Sequence, residues 1–317
     1  MSDPHPPTSL EPDTQKLAGC AQHAIDRCFK KFDKYEKKVL QDNDPEPLHQ
    51  MRVRMRRLRS AISAFDLVLI LPKEVSDRQI GKIARTLGKV RDWDVLKSQL
   101  EGYRSQLPDK ENKRLDKILD QLCQYRKLDF LGLEKTLHGD SYRQLCRSLR
   151  DWLEQPIYRE IANLSIQQVL PDLLLPLLSQ LFLHPGWLAG SAVVEPTLAQ
   201  LHQHSENLHN LRKQIKRIRY QSELFVDYYD ELYIEQIGEF KRLQDLLGYL
   251  QDRSVLKTFL GTELKEEISN RLPTLAQLLQ AEEWELWQSW IAVQQRYLDV
   301  EFRQILRLQI LTFNRVL

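Results

Sequence analysis

Glycine is scarce in this sequence, 11 residues in 317, while Leu, Gln, Arg, Lys and Glu abound; that balance favours helix over sheet. Net charge is nearly absent as well. The 46 Lys and Arg residues face 44 Asp and Glu, a formal +2 at pH 7, so the molecule is not a histone-like polycation. Any pull on polyanions must come from where the charges lie. Cys20, Cys28, Cys123 and Cys146 show no CxxC spacing and follow no signal peptide, which reads as reduced cytosolic thiols rather than disulfides or a zinc site. No apolar run reaches the roughly 20 residues of a membrane span. The nearest, Val169 to Leu183, is broken by Pro171, Asp172, Pro176 and Gln180 and is expected as a buried helix. Catalytic signatures are missing too: no glycine-rich Walker loop, no HExxH, no glycine-flanked serine. No turnover, cofactor or metal is therefore expected, and Asp92, Asp94 and Asp252 read as helix-packing or arginine-pairing residues.

What is present is a basic stretch that occurs twice. LHQMRVRMRRLRSAISAF runs from Leu48 to Phe65, and its first twelve residues hold five arginines and no acid. LHNLRKQIKRIRYQSELF runs from Leu208 to Phe225 and returns Leu48, His49, Arg52, Arg57, Arg59 and Phe65 as Leu208, His209, Arg212, Arg217, Arg219 and Phe225. Arg56 returns as Lys216, with its charge kept. A second motif follows at the same offset of 160: LGKVRDWDVLKSQL from Leu87 is matched by LGYLQDRSVLKTFL from Leu247. The chain is a tandem duplication. Its halves are taken as 14–160 and 161–317, behind a polar, Pro-rich leader at 1–13 expected to be disordered.

Helical periodicity places most of the remaining chain. Helices are expected over Thr14–Leu40, over Leu48–Leu71 with Pro72 as the stop, and over Val75–Leu107, Asp109–Leu137 and Asp140–Glu160. DNDPEP (Asp42 to Pro47) is expected as a turn and helix start. Two tail helices, Thr274–Leu298 and Val300–Leu317, carry Trp284, Trp287 and Trp290 as core or interface filling. Gly88, inside a helical pattern, is expected to permit close helix packing.

On a helical wheel with His49 at zero, Arg56, Arg52 and Arg59 fall at about −20°, −60° and −80°, whereas Met51, Met55, Leu58, Ile62 and Phe65 centre about 150° away. One edge packs, and His49, Arg52, Arg56 and Arg59 form a cationic rail roughly 15 Å long beside it. His209, Arg212, Lys216 and Arg219 repeat the rail, with Arg57 and Arg217 on the flanks. Solvated helices usually interleave acids to relieve such repulsion; two acid-free windows point instead to a ligand that supplies the counter-charge. Guanidinium offers phosphate a rigid fork of donors, and a histidine beside phosphate would tend to be protonated.

The patterns HxxRxxxRRLR (His49 to Arg59), HxxRxxxKRIRY (His209 to Tyr220) and LGxxRDxDVL (Leu87 to Leu96) resemble the CHAD family, the conserved histidine α-helical domain. The resemblance covers nearly all of the chain after about Thr14 and makes 14–317 a single such domain. It implies an all-α fold of two four-helix bundles, related by a pseudo-twofold axis around a basic channel or cleft. It further implies binding of inorganic polyphosphate by the eight rail residues, with Lys82 and Arg242, again 160 apart, and Lys89 and Arg91 extending the site. Two departures weaken the second half: Gln251 stands where the first half has Arg91, and Glu223 where it has Ser63. The triphosphatase signature ExExK, often fused to this family's domain, is absent.

The expected function is thus non-catalytic polyphosphate binding in the cytoplasm, with polyphosphate granules and polyphosphate-metabolising enzymes as the partners the resemblance suggests. The alternatives are a general polyanion or nucleic-acid backbone binder, or a scaffold delivering polyphosphate to an enzyme. Tyr220 is the only aromatic near either rail, so the base-stacking ladder of single-strand binders is missing; no specific nucleic acid and no membrane partner is expected.

Overall fold

The computed structural model describes residues 15–191 and 196–312, and every regular element among them is helical. In chain order these are α1 (Leu17–Asp33), α2 (Glu36–Gln41), α3 (Pro45–Ala64), α4 (Asp77–Gly102), α5 (Asp109–Leu137), α6 (Asp140–Glu154), α7 (Ile166–Phe182), α8 (Leu198–Gln203), α9 (Ser205–Ser222), α10 (Glu231–Leu264), α11 (Ile268–Arg271), α12 (Pro273–Leu298) and α13 (Val300–Leu311). The leader expected at 1–13, part of the loop before Pro196 and residues 313–317, expected in the tail helix, lie outside the described residues; α13 itself ends at Leu311. None of the four cysteines is in a disulfide.

Several boundaries differ from the sequence expectation. The helix expected over Thr14–Leu40 is two, α1 and α2, divided at Lys34 and Tyr35. The first basic helix ends at Ala64 rather than Leu71. Phe65 leaves helical geometry (φ −107°, ψ 21°), and the chain beyond it pairs with the segment after α6. Ile70 N–H donates to the Ile157 carbonyl at 3.1 Å and Arg159 N–H to the Val68 carbonyl at 2.9 Å. The helix start in DNDPEP is present: the Asp44 side chain accepts from Glu46 N–H at 2.9 Å, with Pro45 in the first turn. α4 ends at Gly102, and a short 3-10 turn, Arg104–Gln106, follows it.

The stretch Ile166–Leu188 is, by length and composition, apolar enough to cross a membrane (mean hydropathy 1.3), against the expectation that no run would be; 39% of it is buried. α7 itself stops at Phe182, because the backbone turns extended at His184 (φ −69°, ψ 129°). Its 17 residues reach about 26 Å. Leu170, Leu174, Leu178 and Leu181 all lie in the core.

The chain divides into two compact units: residues up to Gln99 with Leu119–Leu170, and Leu100–Ile118 with residues from Pro171 onward. In the first, Met51, Met55, Leu58 and Ile62 of α3 are buried, and burial of each such side chain stabilises by about 1.5–3 kcal/mol. The Phe32 ring meets Tyr142 of α6 edge-on, with centroids 6.0 Å apart. In the second, Leu211, Ile215 and Ile218 of α9 are buried in the same register. Trp187 stacks on Trp290 at 5.5 Å and on Tyr297 at 4.8 Å. Trp290 donates to the Ala189 carbonyl at 3.0 Å, Trp287 is fully buried, and Trp284 is half-buried. Gly190 has φ +87°, and a Cβ there would stand 3.0 Å from the Trp287 ring, so only glycine fits.

Segment 100–118 belongs to the second unit through specific bonds. Tyr103 O–H donates to Glu282 Oε2 at 2.5 Å, and Arg114 donates to the Arg271 carbonyl. Glu111, 3% exposed, accepts from the Thr274 and Leu275 N–H groups at 3.0 and 3.2 Å. It caps the positive end of α12 with a carboxylate from elsewhere in the chain.

Candidate functional site

The two basic helices repeat in detail. α3 starts at Pro45 and α9 at Ser205, the offset of 160 again, and each lays an arginine across a glycine of the following long helix. A Cβ on Gly88 of α4 would meet Arg52 Nε at 3.5 Å; a Cβ on Gly248 of α10 would stand 3.1 Å from Arg212 Nη2 and 3.3 Å from its Nε. The close neighbour that each glycine admits is therefore a guanidinium. Arg52 Nη2 also reaches Asp92 Oδ1 at 3.5 Å, and Arg212 Nε donates to the Gln244 carbonyl at 3.4 Å.

His49, Arg52 and Arg56 lie half-buried along one edge of α3, and His209, Arg212 and Lys216 along the same edge of α9. Burial, with Arg91, Arg52 and Arg56 nearby, holds the His49 imidazole below the ordinary histidine pKa against the opposing pull of Glu46. Burial also lowers His209, with Lys213, Arg212 and Lys216 adding to it and a hydrogen bond to Gln251 opposing. Burial and the neighbouring cations thus bias both histidines toward the neutral form. Arg91, near His49, and Gln251, bonded to His209, occupy one of the positions at which the motif copies differ.

The fourth rail position diverges most. Arg59 is exposed and holds Asp77 at the start of α4, donating from Nε at 2.5 Å and from Nη2 at 2.8 Å. That bond lowers the Asp77 carboxyl and raises the guanidinium. Arg219 is only 7% exposed. It is bonded to Glu223 one turn on and to Gln244 Oε1 at 3.0 Å, with its guanidinium 4.3 Å above the Tyr220 ring. Arg219 is thus a buried, charge-paired residue rather than part of an open cationic edge, and Glu223, the acid that departs from the first copy, is its partner.

The remaining candidates scatter. Arg57 is half-buried; Arg217 is exposed and reaches Gln180 of α7 at 3.4 Å. Lys82 and Lys89 are exposed on α4. Arg242 lies 3.7 Å from Glu239 and lines a cavity with Arg296 of α12. At 100° per residue Lys82 and Arg242 sit about 180° from Arg91 and Gln251, so they do not join the rails' edge. Lys213 does join it, four residues on from His209; its place in the acid-free window was the only signal for it. Gln244, which receives both Arg212 and Arg219, carried none. Among the described residues no group of three or more His, Cys, Asp or Glu side chains is placed to hold a metal ion.

Comparison with known proteins bears on the whole of this architecture. A family model described as the CHAD domain matches residues 23–261, a span that contains both rails and both glycine motifs. The crystal structure of the CHAD domain from the plant Ricinus communis superposes with a TM-score of 0.62 at 22% identity, covering 98% of each chain. PptA from Streptomyces chartreusis superposes with a TM-score of 0.62 at 13% identity, covering 89% of this chain and 98% of that one. At such identities the likeness speaks for the fold. No curated protein matches the sequence.

Proposed function

Since the chain belongs to the CHAD domain family, a family linked to polyphosphate, we propose that it binds inorganic polyphosphate through His49, Arg52 and Arg56 of α3 and His209, Arg212 and Lys216 of α9, without turning it over. The observation that carries this reading is the repeated acid-free edge: the same cations, in the same register, on two helices that each seat an arginine over a glycine. A linear phosphoanhydride presents charge at every unit and no base to read. Arginine forks and a histidine that gains a proton from the ligand's field match that chemistry. Arg59 and Arg219, already holding Asp77 and Glu223, are assigned to positioning.

Competition tests the proposal. Labelled long-chain polyphosphate is displaced at near-physiological salt by unlabelled polyphosphate, single-stranded DNA, RNA or orthophosphate, matched by phosphate concentration. Displacement by polyphosphate alone is the expected outcome. Equal displacement by nucleic acid would make the rails a generic polyanion surface, whose binding falls steeply with salt. In the same assay Arg52→Ala with Arg212→Ala is expected to weaken binding at least about tenfold with helicity and melting nearly unchanged.

A further inference from the structure

The rail of the second unit adjoins a cavity. Next to His209, among α8, α9, α10 and α12, lies a space of about 260 Å³. Leu201, Leu208, Leu247 and Leu250 make part of its wall, and the Gln251 amide with the Ser205, Ser254 and Thr258 hydroxyls makes much of the rest. Its fixed charges cancel internally. Glu283, 3% exposed, accepts from Lys257 Nζ at 2.8 Å and lies 3.5 Å from His202 Nε2. His209 lines the space as well, and its Nδ1 is buried without a hydrogen-bond partner.

The first unit has diverged at the corresponding corner. The offset of 160 sets Asp42 against His202 and Asp94 against Ser254. Arg126 of α5 bridges the two carboxylates, at 2.6 and 2.7 Å to Asp42 and 2.6 Å to Asp94. A partly buried arginine–carboxylate network stands at this corner of the first copy; at the same corner the second has a cavity walled by leucines, hydrogen-bonding groups and an internal ion pair.

We propose that this cavity takes the base and sugar of a nucleoside polyphosphate, whose phosphates run from His209 onto Arg212 and Lys216; the inference rests on the anion-binding reading of that rail. A space of this size suits one flat ring system, being just under the usual range of ligand pockets. Leucine faces with hydroxyl and amide groups at their edge match a planar heterocycle with a polar rim. Bare polyphosphate is charged at every unit and would lose solvation against the leucines. An inositol polyphosphate, charged around its ring, has no apolar face to offer them.

The test compares ATP with tripolyphosphate by isothermal titration on the full chain, beside long-chain polyphosphate. ATP is expected to bind at least about tenfold more tightly than tripolyphosphate although it carries less charge, because a ring face is buried. Ser254→Trp or Thr258→Trp, both at exposed positions of α10 on the cavity's rim, is expected to erase that advantage and leave long-chain polyphosphate binding and helicity unchanged. Equal or weaker binding of ATP than of tripolyphosphate overturns the inference, as does an advantage that survives both substitutions. If long-chain polyphosphate still binds in those cases, the proposed function stands; if it does not bind the native chain either, both fall.

Discussion

At the scale of single residues, the two rail histidines and the two terminal arginines make opposite predictions. Folding lowers the pKa of His49 and His209, so below their unfolded pKa of about 6.5 the unfolded chain binds protons more readily. Their contribution to stability is intact above that pH and is lost as the pH falls through the folded values. Phosphate bound at the proposed rails would reverse the sign, since it would raise both imidazoles and make binding take up protons. Lowering the pH from about 7.5 to about 6 should therefore lower the melting temperature of the ligand-free protein while tightening its Kd for polyphosphate. His49→Gln with His209→Gln should shrink both changes; titration by fluorescence and calorimetry reads them. The arginines part on burial. Arg59→Ala removes an exposed pair and should cost under about 1 kcal/mol in urea unfolding. Arg219→Ala strands Glu223 and empties a buried site, and should cost about 3 kcal/mol.

At the scale of the helix, glycine and arginine act as one device. Gly88→Ala meets only Arg52 Nε, at ordinary van der Waals distance, so the gain in helix propensity should appear nearly whole, up to about 1 kcal/mol. Gly248→Ala presses on the Arg212 guanidinium at 3.1 to 3.5 Å. It should gain less stability and weaken polyphosphate binding by displacing that guanidinium, a difference that paired unfolding and binding curves would show. The helix faces were legible beforehand, because Met51, Met55, Leu58 and Ile62 follow the helical period and all are buried. The stop at Ala64 was not. It depends on strand-like pairing of 68–70 with 157–159, residues almost ninety positions away, and local periodicity carries no sign of it.

At the scale of the whole molecule, sequence halves and compact units are different divisions. Segment 100–118 precedes position 160 yet belongs to the second unit, where Leu100, Tyr103, Leu107 and Leu115 are buried. A fragment spanning 161–317 would lose Glu111 from the start of α12 and those side chains from the core. It should unfold without a sharp transition, whereas Glu111→Ala in the full chain should cost about 1.5–3 kcal/mol and speed amide exchange at residues 274–276. A fragment as cooperative as the full chain would place the missing support elsewhere.

The sequence by itself determined the helical class, the duplication, and the edge of each basic helix on which cations collect, because periodicity and charge are local and a constant offset survives divergence. Only the tertiary structure decided which of those cations stay available. Arg219 is withdrawn by a partner one turn away and by the packing of α10, Arg242 is turned toward α12, and His209 is brought beside a cavity that His49 does not share in the same form. Burial and pairing are properties of the neighbours a side chain acquires when distant segments meet, and one helix read alone does not contain them.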